Sequence, residues 1–440
     1  MTHPAEIQVI SPKQHPIRLR HISEAALKVL HGLHQAGYQA YLVGGAVRDP
    51  LLDQQPKDFD VATDATPEQI KQVFRHARLI GRRFRIVHVR FGRETIEVTT
   101  FRGAPEADTH PHHQQLANGL LLRDNVYGCI QEDALRRDFT VNALYYNLAD
   151  ACIYDYAQGL QDIKARQLRM IGDPEQRYRE DPVRMLRAVR FAAKLDFTLE
   201  AQTQAPISAL APLLLQVSPA RMFDEVLKLF LSGYALLCLR LLREYGLFKM
   251  LFPATEQAFQ HIPHTLALVE AALHNTDQRL AENKPVTPAF LYAALIWPAL
   301  LHLLSKRRLS LATMKMETFH EAAQISLQAQ AQHTLIPRRF STPLQEIWTF
   351  QLRLPQRHGK RAWRLIEHPR FRAAYDFVLL REQAGEDLQG LGAWWTQFQQ
   401  APAETQVAMV KALGPANKKP RTKKRKKRAR PAAKTTAPSA

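Results

Sequence analysis

Apolar positions change their spacing once along this chain. Up to about residue 160 they fall in short runs that alternate with polar residues or are β-branched, as in YQAYLV, IVHVRFG and ETIEVTTF. Beyond Asp162 they recur every three or four residues over long stretches: DPVRMLRAVRFAAKL, PARMFDEVLKLFLS, ALLCLRLLREYGLF and PAFLYAALIWPALLHLL. A period of two predicts strands and a period near 3.6 predicts helices. The expected fold class is an α/β head, a small mixed sheet with helices, followed by all-α regions.

Local signals sharpen this division. SEAALKVLHGLHQAG predicts a helix with Ser23 as N-cap, Leu27, Leu30, Leu33 and His34 at helical spacing, and Gly37 as its stop. Another starts at Thr66, where Pro67 takes the first helical position and Gln69 completes a capping box. Pro4, Pro12 and Pro16 predict a loose arm at the start of the chain. IWPALLHLL is apolar enough to imitate a membrane segment, but Trp297-Pro298 interrupts it and polar flanks follow, so a buried helix is expected.

Charge and cysteine content narrow the class of partner. The 440 residues carry a formal charge of +19, and the stretch Lys418 to Ala440 holds eleven Lys and Arg with no acid, leaving 49 basic against 41 acidic residues elsewhere. Both parts are basic, which favours a polyanion such as nucleic acid or an anionic membrane surface. Cys129, Cys152 and Cys238 are far apart and form no CxxC, which argues against a disulfide framework or a structural zinc site. The N-terminal stretch has no signal-peptide core, so a soluble, cytoplasmic protein without membrane insertion is expected.

The candidate chemistry begins in YLVGGAVRDPLLDQQPKDFDVAT. On a strand, Asp58 and Asp60 project from one face while Phe59 enters the core. Adjacent carboxylates repel each other, and a divalent cation shared with substrate phosphates relieves that repulsion. Gly44 and Gly45 let the backbone turn and approach a ligand, with Arg48 as a further fork for phosphate. A solvated turn and an ordinary strand-to-helix connection would also account for these residues. Downstream, Asp181, Arg184, Arg187 and Arg190 are spaced by three, opposite Met185, Val189 and Ala193. That pattern gives a polar row on a half-buried helix.

The order of the segments carries more weight than any one of them. An apolar strand, GG, Arg-Asp and then DxD resembles the DNA polymerase β type of nucleotidyltransferase. IEVTTFRG, EDALRRDFTVNALYYN and EDPVRMLRAVRFAAKL narrow the resemblance to the class II family of tRNA CCA-adding enzymes and bacterial poly(A) polymerases. GRRFRIVHVRFG, LLLRDNVYG, GKRAWRLIEHPRFRAAYDF and the basic tail are similar to the polyadenylating branch. Ala46 and Pro50 depart from the family pattern, and Pro50 is expected to kink or delay the helix after Gly45.

The resemblance implies addition of AMP from ATP to RNA 3′ ends without a template, releasing pyrophosphate. It implies two Mg²⁺ ions on Asp58 and Asp60, with Asp138 as third catalytic acid and Glu97 as its rival. It places Gly44, Gly45, Arg48, Arg137 and Asn142 on the nucleotide, Asp181 and Arg184 on the Watson–Crick edge of its base, and Arg187 and Arg190 nearby. The implied regions are a flexible arm 1–22, a catalytic head 23–163, a base-reading and RNA-binding neck 164–232, a helical body and C-terminal RNA-binding region 233–400, and a disordered tail 401–440. RNA and RNA-decay proteins are the implied partners. CCA addition would use the same residues, because ATP and CTP present similar donor-acceptor pairs. A non-catalytic RNA-binding regulator on the same scaffold is an alternative of another kind. His110, His112 and His113 read as exposed loop histidines, since no acid or Cys lies at ligand spacing.

Overall fold

The computed structural model describes residues 7–81, 85–103, 113–115, 121–124 and 126–414. His110, His112 and the basic tail beyond residue 414 lie outside the described residues. Among the described residues the head contains ten strands: β1 (Gln8–Ile10), β2 (Ala40–Val43), β3 (Asp60–Thr63), β4 (Arg78–Ile80), β5 (Ile86–Phe91), β6 (Glu94–Thr100), β7 (His113–Gln115), β8 (Leu121–Asp124), β9 (Leu144–Asn147) and β10 (Ile153–Asp155). Eight form one sheet in the order β1-β10-β9-β2-β3-β6-β5-β4, while β7 and β8 pair only with each other. Its neighbouring strands run antiparallel except β3 and β6, which are parallel.

Period-two patterning gives this sheet two covered faces. Leu42, Val61, Ile96 and Val98 face the large core shared with helix α1 (Glu24–Gln35). Val43, Ala62, Phe101 and Tyr145 form a smaller core with Ala134 on the other side. Ser23 caps α1 through its hydroxyl, and helix α3 (Pro67–Val73) has the expected capping box from Thr66 and Gln69. Helix α2 (Gly45–Leu51) lies between them in sequence and follows β2 directly.

Three further helices carry the chain out of the head: α4 (Ile130–Arg136), α5 (Gly159–Ala165) and α6 (Pro174–Glu180). Helix α7 (Val183–Leu195) then opens the neck. Its apolar flank, including Met185, Leu186, Val189 and Ala193, is buried. The body is a stack of helices around Pro288–Lys306, whose Tyr292, Ile296 and Trp297 are fully buried, as expected of a core helix. By length and composition that helix would also suffice to cross a membrane.

Several expectations are corrected. The segment before residue 22 is no loose arm over its described part: β1 pairs with β10, and Ile10, Ile17 and Ile22 enter the core. Pro50 does not delay α2, because the helix starts at Gly45 and the proline sits in its last turn. The helical part contains one small parallel bridge, Gln167–Leu168 with Thr198–Leu199. Residues Ala403–Ala412, expected to be disordered, form a helix that buries Val410.

Candidate active site

The end of the sheet where β2 stops and β3 starts gathers the sequence motifs. Val43, the last residue of β2, lies opposite Asp60, the first of β3, and Asp60 in turn lies opposite Glu97 on β6. Gly44 therefore turns beside the carboxylate pair. Its φ of 64° and ψ of −126° belong to glycine, and a Cβ there would meet Arg137 Nη1 at 3.9 Å. Asp58 precedes the strand and is exposed, and Phe59 is only partly buried against the core. The strand inferred for DFD is therefore corrected: only Asp60 lies in β3, and Asp58 and Phe59 sit on the approach to it.

Burial pushes the Asp60 carboxyl up to about 6, and the charges of Glu97 and Asp58 add to the rise against Arg137 and Arg187. A carboxylate crowded by two others at a partly dry sheet end is a cation acceptor. Among the described residues no three His, Cys, Asp or Glu side chains form a metal cage by themselves. Magnesium in phosphoryl transfer needs no such cage, since one or two carboxylates and substrate phosphates complete its shell. The donor set fits that ion. Glu97 also stands 3.3 Å from His88 Nε2 on β5.

Asp138 occupies a different place. Arg187 Nε donates to its Oδ2 at 2.7 Å, and Asn142 Nδ2 and the Phe139 N–H donate to its Oδ1 at 3.0 and 2.8 Å. Burial opposes ionisation, but Arg187, Asn142 and that N–H outweigh it and hold the group at about 2. Of the two rival acids, Glu97 is the one placed beside Asp60, whereas Asp138 anchors the neck arginine.

The Asp138 contacts extend into a buried chain of charges. Asn142 Oδ1 accepts from Arg48 Nη1, Arg48 Nε donates to Asp49 at 2.9 Å, and Lys194 approaches Asp49 at 3.5 Å. Arg48 is only 2% exposed, and Asn142 uses both ends of its amide internally. Neither presents a free fork to phosphate, as the sequence suggested; together they tie α2 to α7. Phe191 collects the guanidinium groups of Arg48, Arg187 and Arg190 within 5.3 Å of its ring centre.

Arg137 stands beside the Gly44 turn. Its Nε donates to Tyr145 Oη at 2.8 Å and its Nη2 to Asp133 at 3.1 Å, while Tyr145 Oη donates to Asp133 at 2.6 Å. Burial works against the Arg137 charge, but Tyr145 and Asp133 more than restore it. Sequence reasoning missed Asp133 and Tyr145. The signal available was helical spacing, since Asp133 and Arg137 are four apart across the end of α4.

Asp181 lies in the bend between α6 and α7 rather than on the helical row, and both its oxygens accept from Arg221, at 3.0 and 2.9 Å. Arg184 donates to the Arg177 carbonyl and to Glu180. The two expected base readers are therefore adjacent but engaged, and Arg221 is a missed member of the site. No motif pointed to it, because it lies forty residues downstream on the helix Pro219–Phe230. Arg190 makes no ion pair among the described residues, and burial, ahead of the neighbouring Arg187, lowers its pKa.

A head of this topology with carboxylates at one sheet end, closed by a helical neck, defines a nucleotidyltransferase. Three family descriptions match successive parts of the chain: Poly A polymerase head domain over residues 40–169, Probable RNA and SrmB- binding site of polymerase A over 196–259, and Polymerase A arginine-rich C-terminus over 312–431. Poly(A) polymerase I of Escherichia coli O157:H7 is 47% identical over 435 residues, covering 97% of this chain and 92% of the relative. The chain belongs to the bacterial poly(A) polymerase I family. A CCA-adding enzyme of Lactobacillus johnsonii is 40% identical over 213 residues, 48% of this chain and 51% of the relative. The solved CCA-adding enzyme of Bacillus stearothermophilus in complex with CTP shares the fold, with TM-score 0.54, 28% identity and coverage of 86% and 81%.

Proposed function

We propose that this enzyme adds AMP from ATP to RNA 3′ ends without a nucleic-acid template. The RNA 3′-oxygen bonds to the α-phosphorus, the bond to the β-phosphate oxygen breaks, and pyrophosphate leaves. Likeness to poly(A) polymerase I along nearly the whole chain carries this reading, whereas the likeness to CCA-adding enzymes in sequence stops at about half of it.

Asp58, Asp60 and Glu97 are the residues assigned to hold Mg²⁺, which when bound supplies positive charge at the α-phosphate and acidifies the attacking hydroxyl. Gly44 and Gly45 give the triphosphate backbone N–H groups, and Arg137 adds a charge held in place by Asp133 and Tyr145. Asp181 and Arg184 read the adenine edge once Arg221 and Glu180 release or share them. Arg190 serves a phosphate from the Phe191 cluster. Asp138, Asn142 and Arg48 act as positioning residues that fix α7 against the head. In the cytoplasm, the added tail is expected to mark RNA for decay.

The division of labour between the two rival acids is open to measurement. Glu97→Gln is expected to raise the Mg²⁺ concentration for half-maximal AMP incorporation, and Asp138→Asn to leave that concentration unchanged while lowering the rate. The reverse pattern would return the third carboxylate to Asp138.

A further inference from the structure

Arg177, on α6, touches both arms of the candidate site. Its Nη2 donates to the main-chain carbonyls of Arg136 and Arg137, at 2.5 and 2.6 Å, where α4 ends. Its Nη1 donates to Glu180 Oε2 at 3.0 Å, and the same oxygen accepts from Arg184 Nη1 at 2.9 Å. The Arg177 carbonyl in turn accepts from Arg184 Nη1 at 2.8 Å and from the Asp181 N–H at 3.2 Å. A single residue thus joins the backbone that carries Arg137 to the pair Asp181 and Arg184, with no contact longer than 3.2 Å.

The last carbonyls of a helix have no partner within it, so a cation at that end is favourable, and a lysine or water would suffice. Arg177 does the same at greater cost. Its side chain is only 12% exposed, its Nε is buried without a hydrogen-bond partner, and burial, ahead of Arg184, pulls its pKa down to about 10. A buried unpaired N–H is destabilising, and such groups are kept where position matters more than stability. What the guanidinium adds is direction, because a rigid planar fork fixes the end of α4 and the end of α6 at once. Arg187 grips the next residue of the same segment through Asp138. Residues 136–138 are therefore held from α6 and from α7.

We propose that Arg177 is a positioning residue that sets the spacing between Arg137 and the Asp181 and Arg184 pair, and so keeps the two ends of one nucleotide in register. It rests on the reading that Arg137 meets the triphosphate and the pair meets the base. A nucleotide spans both arms through a ribose of fixed length, so a shift of α4 against α6 either releases one end or displaces the α-phosphorus. Misplacement of that kind falls on catalysis as well as on binding. A helix cap alone would change stability and leave ATP use by the folded enzyme as it was.

The test compares the full-length parent, Arg177→Ala, Arg137→Ala and the double variant in AMP addition at varied ATP, with thermal midpoints measured alongside. Arg177→Ala is expected to lower kcat/KM for ATP by up to about 100-fold, kcat falling while KM rises. In the Arg137→Ala background no phosphate arm remains to be placed, so the same change should alter kcat/KM by no more than about twofold. Arg177→Lys keeps the charge without the fork and should fall between the parent and Arg177→Ala. Additive losses in the double variant would overturn the proposal, because Arg177 would then act independently of Arg137. A lowered midpoint with parental kcat/KM in Arg177→Ala would also overturn it, since that is the behaviour of a cap. If Arg177→Ala fails to fold, Arg177→Lys in the two backgrounds decides alone. Parental kcat/KM in Arg137→Ala by itself would instead refute the reading of the phosphate arm, and the proposal would go with it.

Discussion

Asp60 is where a proton and the proposed Mg²⁺ would compete. Its folded-state value of about 6 lies above the ordinary 3.8, so the folded protein without metal binds the proton more tightly than the unfolded chain does. Metal-free stability should therefore fall as pH rises from about 4 to about 6 and stay reduced above that. In the presence of EDTA at pH 7.5, Asp60→Asn is expected to raise the thermal midpoint by about 2 to 5 °C, and to give no gain near pH 4. AMP incorporation at limiting Mg²⁺ should decline as pH drops through about 6, and added Mg²⁺ should move that decline lower. A second test at this scale concerns Asp138 and Arg187. Arg187→Ala strands a buried carboxylate and should cost about 3 kcal/mol in denaturant unfolding, while the double variant Asp138→Asn, Arg187→Ala should lose less than the sum of the singles. Strict additivity would show the pair to be uncoupled. The closeness of Asp58 to Asp60 was legible in the sequence because it is local, although the strand expected to carry both begins only at Asp60. Arg221 on Asp181 was not, since an ion pair across forty residues leaves no periodic trace.

At the level of elements, the turn between β2 and α2 sets the position of the proposed phosphate grip. Gly44 has space for a Cβ but not the backbone angles for one. Gly44→Ala should thus cost about 2 kcal/mol of stability and raise the KM for ATP more than it lowers kcat. A parental KM would mean that the turn does not touch the nucleotide. Capping residues and apolar period located α1, α3 and α7 from sequence, because those signals act within one turn. Prolines misled twice. Pro50 sits where a helix can lose one N–H bond without breaking, and the N-terminal prolines flank a strand whose partner, β10, lies far along the chain. Strand pairing is long-range, so a three-residue edge strand carries too little pattern to be seen in advance.

Across the whole molecule, the change of apolar period near Asp162 marks the passage from sheet-based head to helical neck and body, and the structure follows it apart from one two-residue bridge. The division of roles follows from that layout. A chain of charged and polar groups, from Lys194 through Asp49, Arg48, Asn142 and Asp138 to Arg187, ties neck to head. Such a framework separates the chemistry of nucleotide transfer from the choice of nucleotide, and only the latter distinguishes polyadenylation from CCA addition. The most direct measurement gives the purified enzyme Mg²⁺, a generic RNA oligonucleotide and one nucleotide at a time. A long ladder with ATP alone is the expected result; incorporation restricted to two C and one A on tRNA-like ends would contradict it.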